Sequence, residues 1–228
     1  MMAEVRDQGN ELLEEWDWET ACPTGRPVAR GEAHRRGIAH EGVHLWVVRT
    51  GGDVPEVLFQ RRAHIKEMYP DCLDITVGGH VPFGVRENKI QKEAMEEIGV
   101  APADSELIDL GYFRYEEIDG ALFHREFQRV YLYADERPLD GYRFIDGEVD
   151  GIYAVKLSDL ERMMREEHRF MVDGFDGRSM VSLRAGRKDF HPLLFAQPME
   201  EYMHVVLLAV KQLHQKGSVS ARMPSPVR

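Results

Sequence analysis

The chain has 228 residues, 40 Asp and Glu against 29 Lys and Arg, a formal net charge of -11, 43% hydrophobic residues and two cysteines. That length fits one large domain, or a domain with an appendage, and can bury a sizeable core. The composition excludes collagen and disulfide mini-proteins, and the acidic balance argues against nucleic-acid polymers as partners, since displacing phosphate counterions takes clustered Lys and Arg.

Cys22 and Cys72 lie far apart without a Cys-x-x-Cys spacing, so neither a disulfide framework nor a cysteine zinc site is expected. Met1 to Trp18 is acidic and lacks a basic patch followed by an apolar run, and the longest apolar stretches fall far short of the roughly 20 residues that span a bilayer. A cytoplasmic protein without a membrane partner is expected.

In chain order, residues 12–18 predict a short strand and 22–27 a turn, because two prolines and a glycine punctuate it. Residues 43–49 and 56–61 are β-branched, apolar runs joined by Thr50-Gly-Gly-Asp-Val-Pro55, a hairpin signal. Residues 73–77 predict another strand, ending in Gly78-Gly79. From 86 to 98 the period becomes helical, with Ile90, Ala94 and Ile98 as an apolar stripe and Gly99 as C-cap. Residues 107–118 and 122–133 predict two long strands meeting at Asp119-Gly120. Residues 149–155 predict a strand, and 158–167 a helix with Ser158 as N-cap and Glu161 completing a capping box. No clear period runs from 168 to 198, 199–215 is an amphipathic helix, and 217–228 is polar.

The expected fold is therefore α+β: a mixed sheet flanked by helices over residues 1–167, a helical extension at 168–216, and a disordered tail at 217–228. In the last helix Met199, Tyr202, Met203, Val206, Val210 and Leu213 recur at helical spacing, a pattern of core packing or of a homodimer face.

The chemistry concentrates between Gly78 and Val100. On a helix Glu93, Glu96 and Glu97 fall in one narrow arc, apart from the apolar stripe. Like charges so placed repel, and a hard divalent cation over the arc reverses the sign because Mg2+ and Mn2+ favour carboxylate oxygens. The plain alternative is a solvated acidic face paired with Lys89 and Lys92.

This segment resembles the Nudix box, G-x5-E-x7-R-E-U-x-E-E-x-G-U with U aliphatic. Lys92-Glu-Ala-Met-Glu-Glu-Ile-Gly-Val100 lies on its second half and Gly78-Gly-His-Val on its glycine turn. The box departs where the first glutamate would stand, at Val85 (Gly84 counting back from Lys92), with Glu87 the nearby carboxylate, and at Lys92 in place of arginine. Over about 10–167 the chain is similar to the branch related to type 1 isopentenyl-diphosphate isomerase, through His34, His40-Glu-Gly-Val-His-Leu-Trp, Leu58-Phe-Gln-Arg-Arg62 and Tyr69-Pro-Asp-Cys-Leu-Asp-Ile-Thr76.

That resemblance implies a Nudix fold, Mg2+ or Mn2+ on Glu93, Glu96 and Glu97, and hydrolysis of a diphosphate linkage in a small molecule. Glu97, Glu93 and Glu126 are the catalytic candidates, with Glu148 a lesser one; Arg61, Arg62, Gly78, Gly79 and His80 would meet substrate. In the isomerase branch, metal would sit on His34, His40, His80 and Glu126, with His124 standing where that branch has a further glutamate. Its catalytic cysteine falls on Gly78, and Cys72 lies six residues earlier, which disfavours isomerisation because a second acid/base partner is missing. The remaining alternative is a catalytically weak Nudix fold that binds a nucleotide or diphosphate ligand. Trp46, Tyr69, Phe83 and Tyr112 could stack on a base, but core packing is the commoner use of such residues.

Overall fold

The computed structural model describes residues 11–66, 68–120 and 122–224. Among them are an N-terminal hairpin, β1 (Leu12–Asp17) and β2 (Cys22–Ala29), then α1 (Arg30–Arg36), β3 (His40–Arg49), β4 (Glu56–Arg62), β5 (Leu73–Asp74), β6 (Val77–His80) and α2 (Lys89–Ile98). There follow β7 (Leu107–Asp119), β8 (Leu122–Ala134), β9 (Val149–Lys156), α3 (Leu157–Arg165), β10 (Arg169–Phe175), β11 (Met180–Gly186) and α4 (Glu200–Lys216). The expected mixed α+β sheet flanked by helices is what forms. No described helix is long and apolar enough to cross a membrane.

The main sheet runs β11-β10-β9-β4-β3-β8-β7, with β5 on β4 and β6 on β3. One edge of β3 pairs in parallel with β8 from His40 to Val48. Its other edge is shared: β6 takes Gly42 to Leu45, and β4 takes only Val48 and Arg49. The sheet therefore forks, and Thr76 fills the fork. Its hydroxyl accepts from the Val47 N–H at 3.1 Å and donates to the Leu58 carbonyl, so neither backbone group is left unpaired in the core.

Alternation along the strands separates two cores. Trp46, Val48, Val57, Phe59, Val130 and Leu132 face α3 and α4, whereas Val43, Leu45, Val47, Leu58 and Val77 face α2 through its Ile90, Ala94 and Ile98 stripe. Gly99 closes α2 with φ of 71°, as its position predicts.

Four expectations need correction. Residues 22–27 are strand rather than turn, because β2 belongs to a two-stranded sheet where prolines 23 and 27 need no second partner. Residues 168–216 are not a purely helical extension: β10 and β11 form a hairpin that continues the main sheet through β9. Ser158 is not the N-cap of α3, which starts at Leu157 without a side-chain cap. Residues 217–224 are ordered onto the body, with Ala221 and Met223 buried, the Met223 N–H bonded to the Leu110 carbonyl at 2.6 Å and Gln212 Oε1 holding the Ala221 N–H at 2.9 Å. Residues 225–228 of the predicted tail lie outside the described residues.

Candidate functional site

Strand β6 sends its residues to both faces of the sheet. Gly78 and His80 pair with His44 and Gly42 on the α4 side, while Gly79 pairs with Val43 on the α2 side. A metal-competent cluster lies on each side: His34, His40, His80 and Glu126 on the first, and Glu97, Asp146 and Glu148 on the second, with the ligand atoms of each group within 4.8 Å of one another.

The histidine cluster draws one residue from each of α1, β3, β6 and β8. Glu126 Oε1 lies 3.8 Å from His40 Nε2, 3.6 Å from His80 Nε2 and 3.7 Å from His124 Nδ1. The His34 ring centroid is 5.0 Å from that of His40 and 5.2 Å from that of His80. His40 Nδ1 lies 3.0 Å from the Ile38 carbonyl, which can only accept, so the ring proton is there and Nε2 turns a lone pair toward Glu126. Two acceptors then face one another in a buried site, and His34 Nδ1, His40 Nε2 and His80 Nε2 have no hydrogen-bond partner. Such an arrangement is costly without a cation between the groups. The N···O separations slightly exceed the roughly 3.4 Å expected between ligands of a tetrahedral ion with bonds of about 2.1 Å.

Electrostatics agree with that fit. Burial, reinforced by His80, pushes His34 down to about 3, and burial pushes His40 down to about 4, so both rings are neutral at pH 7. Burial opposes charge on Glu126, yet the surrounding His124 and His80 outweigh it and hold the carboxyl well below the usual range. Gln128 Nε2 donates to the other Glu126 oxygen and lies over Gly42, where any Cβ would sit 2.3 Å from the Gln128 amide oxygen. Only glycine at 42 leaves Gln128 room to fix Glu126.

The carboxylate cluster joins α2 to the loop before β9. The Glu96 carbonyl accepts from the N–H groups of Ile145 and Asp146, both at 3.2 Å, which brings the Asp146 side chain beside Glu97. Glu97 is buried and accepts from Gln60 Nε2 at 3.1 Å; burial first, then Asp146, raises its carboxyl well above the ordinary value. Burial likewise raises Glu93 to about 7. The carboxylate of Glu93 occupies the space a side chain at Gly79 would take, since a Cβ there would lie 2.8 Å from Glu93 Oε2. Glu148 pairs with Lys66, and its N–H donates to Asp146 Oδ1 at 2.8 Å. Glu97 and Glu93, pushed toward protonation by burial, suit a cation that replaces the protons.

Of the sequence candidates, Glu97 thus joins Asp146 and Glu148, a grouping that does not include Glu93 or Glu96; Lys92 approaches those two at 3.9 and 4.0 Å. Arg62 is tied to Asp74 at 3.1 Å and to the Met68 and Tyr69 carbonyls, so it braces the chain at those two residues. Arg61 lies 3.3 Å from Asp71 and lines an open cavity of about 480 Å3 with Cys72, Arg184 and Lys188. Trp46 is core. Sequence reasoning missed Asp146, which no spacing links to α2, and His44, which sits in the strand run beside His40.

The chain is 28% identical over 160 residues to an uncharacterized Nudix hydrolase of Clostridium acetobutylicum, covering 70% of this chain and 76% of that protein. Its similarity in sequence is thus to Nudix hydrolases. Nudix hydrolase 3 of Arabidopsis thaliana is 30% identical over 150 residues, 63% of this chain but only 19% of the plant protein. The fold is shared with DR0079 from Deinococcus radiodurans, at a TM-score of 0.50 and 19% identity over 66% of this chain and 86% of that one. No protein-family profile matches the chain.

Proposed function

We propose that this chain is a Nudix hydrolase that cleaves a diphosphate linkage in a small molecule, with Mg2+ or Mn2+ held by Glu97, Asp146 and Glu148 and approached by Glu93. The observation that carries the reading is the convergence of buried Glu97 with two loop carboxylates at ligand spacing. A cation there would neutralise the phosphate oxygens and acidify a bound water. Gln60 Nε2–H fixes the Glu97 oxygen, and Lys66 pairs with Glu148 of the cluster. Glu93, lifted to about 7 by burial, has a carboxylate suited to accept and release a proton near neutral pH at Oε2, the atom lying over Gly79.

Phosphate release from nucleotide sugars, dinucleotides and isoprenoid diphosphates with Mg2+ or Mn2+ tests this reading. Glu97→Gln is expected to cut the rate by about 100-fold or more, the scale on which weakened metal ligation acts. Absence of turnover across that panel would remove the hydrolase reading.

A second reading is favoured by the orphaned histidine nitrogens around Glu126. Here His34, His40, His80 and Glu126 would hold Zn2+ or Mn2+, and the ion would take a diphosphate ligand. Gly78 offers no thiol on this face, and Cys72, whose thiol burial pushes up, lines the Arg61 cavity instead. Tight diphosphate binding without turnover or isomerisation would favour a binding protein.

A further inference from the structure

His44 lies on the same face of the sheet as the histidine cluster but supplies no ligand to it. Its Nδ1 is 3.0 Å from Tyr202 Oη on α4, and that oxygen also accepts from Trp46 Nε1 at 2.8 Å. The indole is a donor only. If His44 Nδ1 also donated, the proton of the fully buried Tyr202 hydroxyl would have no acceptor among the described residues. The satisfied arrangement runs Trp46 Nε1–H to Tyr202 Oη, then Tyr202 O–H to His44 Nδ1, which leaves the imidazole proton on Nε2.

That Nε2 edge lies beside Gly78. A Cβ at Gly78 would lie 3.4 Å from His44 Cδ2 and 3.9 Å from its Nε2, so the missing side chain opens the space beside the imidazole. No described residue pairs with His44 Nε2, and the atom is not among the sealed, unpartnered ones. Glu126, Asp74 and His80 are the charged and titratable groups that bear on the ring.

We infer that His44 presents a fixed, neutral Nε2–H to an oxyanion ligand on the histidine face, in the space Gly78 leaves open, and that Tyr202 sets this tautomer. The ligand chemistry is a phosphoryl oxygen bound next to the cation of the histidine cluster, so the inference rests on the second reading above. It gives the C-terminal helix a function besides packing: α4 carries the hydroxyl that decides which imidazole nitrogen faces the ligand. His44 would be a binding residue and Tyr202 a positioning residue.

Two measurements on the full chain test it, with inorganic pyrophosphate as the probe. Long-range 1H–15N correlation of His44 without metal is expected to show the Nε2–H tautomer, and Tyr202→Phe to abolish that preference; an Nδ1–H ring in the wild type overturns the inference. Calorimetry of pyrophosphate on the Zn2+-loaded protein is expected to show binding about tenfold weaker in His44→Phe, the loss of one hydrogen bond to a charged group, with Zn2+ affinity unchanged. Equal pyrophosphate affinity in wild type and His44→Phe overturns the inference alone. A wild type that binds Zn2+ but no pyrophosphate overturns both the inference and the second reading.

Discussion

The two clusters on either side of β6 would hold a cation in opposite ways. On the histidine side four separate elements each contribute one ligand, and backbone and amide partners lock them: Ile38 orients His40, and Gln128, seated over Gly42, orients Glu126. The neutral rings of His34 and His40 flank the ionised Glu126, so these three groups would meet an ion without first losing a proton. On the carboxylate side one helix and one loop bring acids together, and burial drives Glu93 and Glu97 toward protonation. Such a cluster is finished only by the cation. Donor type would set the ion: imidazole nitrogens suit Zn2+ and Mn2+, and crowded carboxylates suit Mg2+ and Mn2+.

The comparison breaks if one substitution disables both sites. A ligand at 100 times its Kd stabilises by about 2.7 kcal/mol, which for a chain of this size raises Tm by about 5–10 °C. Zn2+ is expected to give such a rise in wild type and Glu97→Gln but not in His40→Ala, and Mg2+ at saturation the reverse pattern. Thermal scans with each ion after chelator treatment read this directly. Loss of both responses in either variant would mean that the faces form one coupled site.

The next largest effect sharpens the electrostatic half of the contrast. Glu93 is raised from 4.5 to about 7 by burial, so between those values the unfolded chain has released a proton that the folded chain keeps. Its contribution to metal-free stability is greatest below pH 4.5, declines as pH rises, and is fully lost above 7. The buried histidines act with the opposite sign: His34 and His40 are lowered to about 3 and about 4, so their contribution is whole above pH 6.5 and is lost on acidification. Glu93→Gln, which mimics the protonated acid, is expected to raise metal-free stability at pH 8 by on the order of 1–3 kcal/mol and to leave pH 4 nearly unchanged. Urea unfolding in chelator at the two pH values checks this, and equal changes at both would contradict the assigned shift.

Much of this arrangement was legible in the sequence. The 3.6-residue stripe of α2, its glycine stop and the alternation that puts His124, Glu126 and Gln128 on one side of β8 are local patterns, and local patterns survive folding. Asp146 was not legible, because it reaches Glu97 through backbone hydrogen bonds to the Glu96 carbonyl, which carry no residue signature. The β10–β11 hairpin was hidden for another reason. Met171 and Met180 are apolar yet exposed, at 64% and 56%, so the inward run of Phe170 and Val172 does not stand out against a polar face. The order in 217–224 rests on two small anchors, Ala221 and Met223, and composition alone does not distinguish those from a free tail.

The smallest expected effect bears on Gly79, the β6 residue that packs against Glu93. An alanine Cβ there would come within 2.8 Å of Glu93 Oε2 and 3.0 Å of its Cγ, so the carboxylate must swing away. The backbone at Gly79 has no positive φ that would strain alanine, and the atoms displaced belong to a long, flexible side chain, so little stability should be lost. Gly79→Ala is therefore expected to move Tm by no more than about 2 °C, within the scale of a change under 1 kcal/mol, while Mg2+ affinity at the carboxylate cluster falls severalfold. Zn2+ affinity should be unchanged, since Gly79 points away from the histidines. Titrating both ions by calorimetry separates the outcomes: a fall in Zn2+ affinity of equal size would show that β6 transmits the disturbance across the sheet, and that the two faces are not independent.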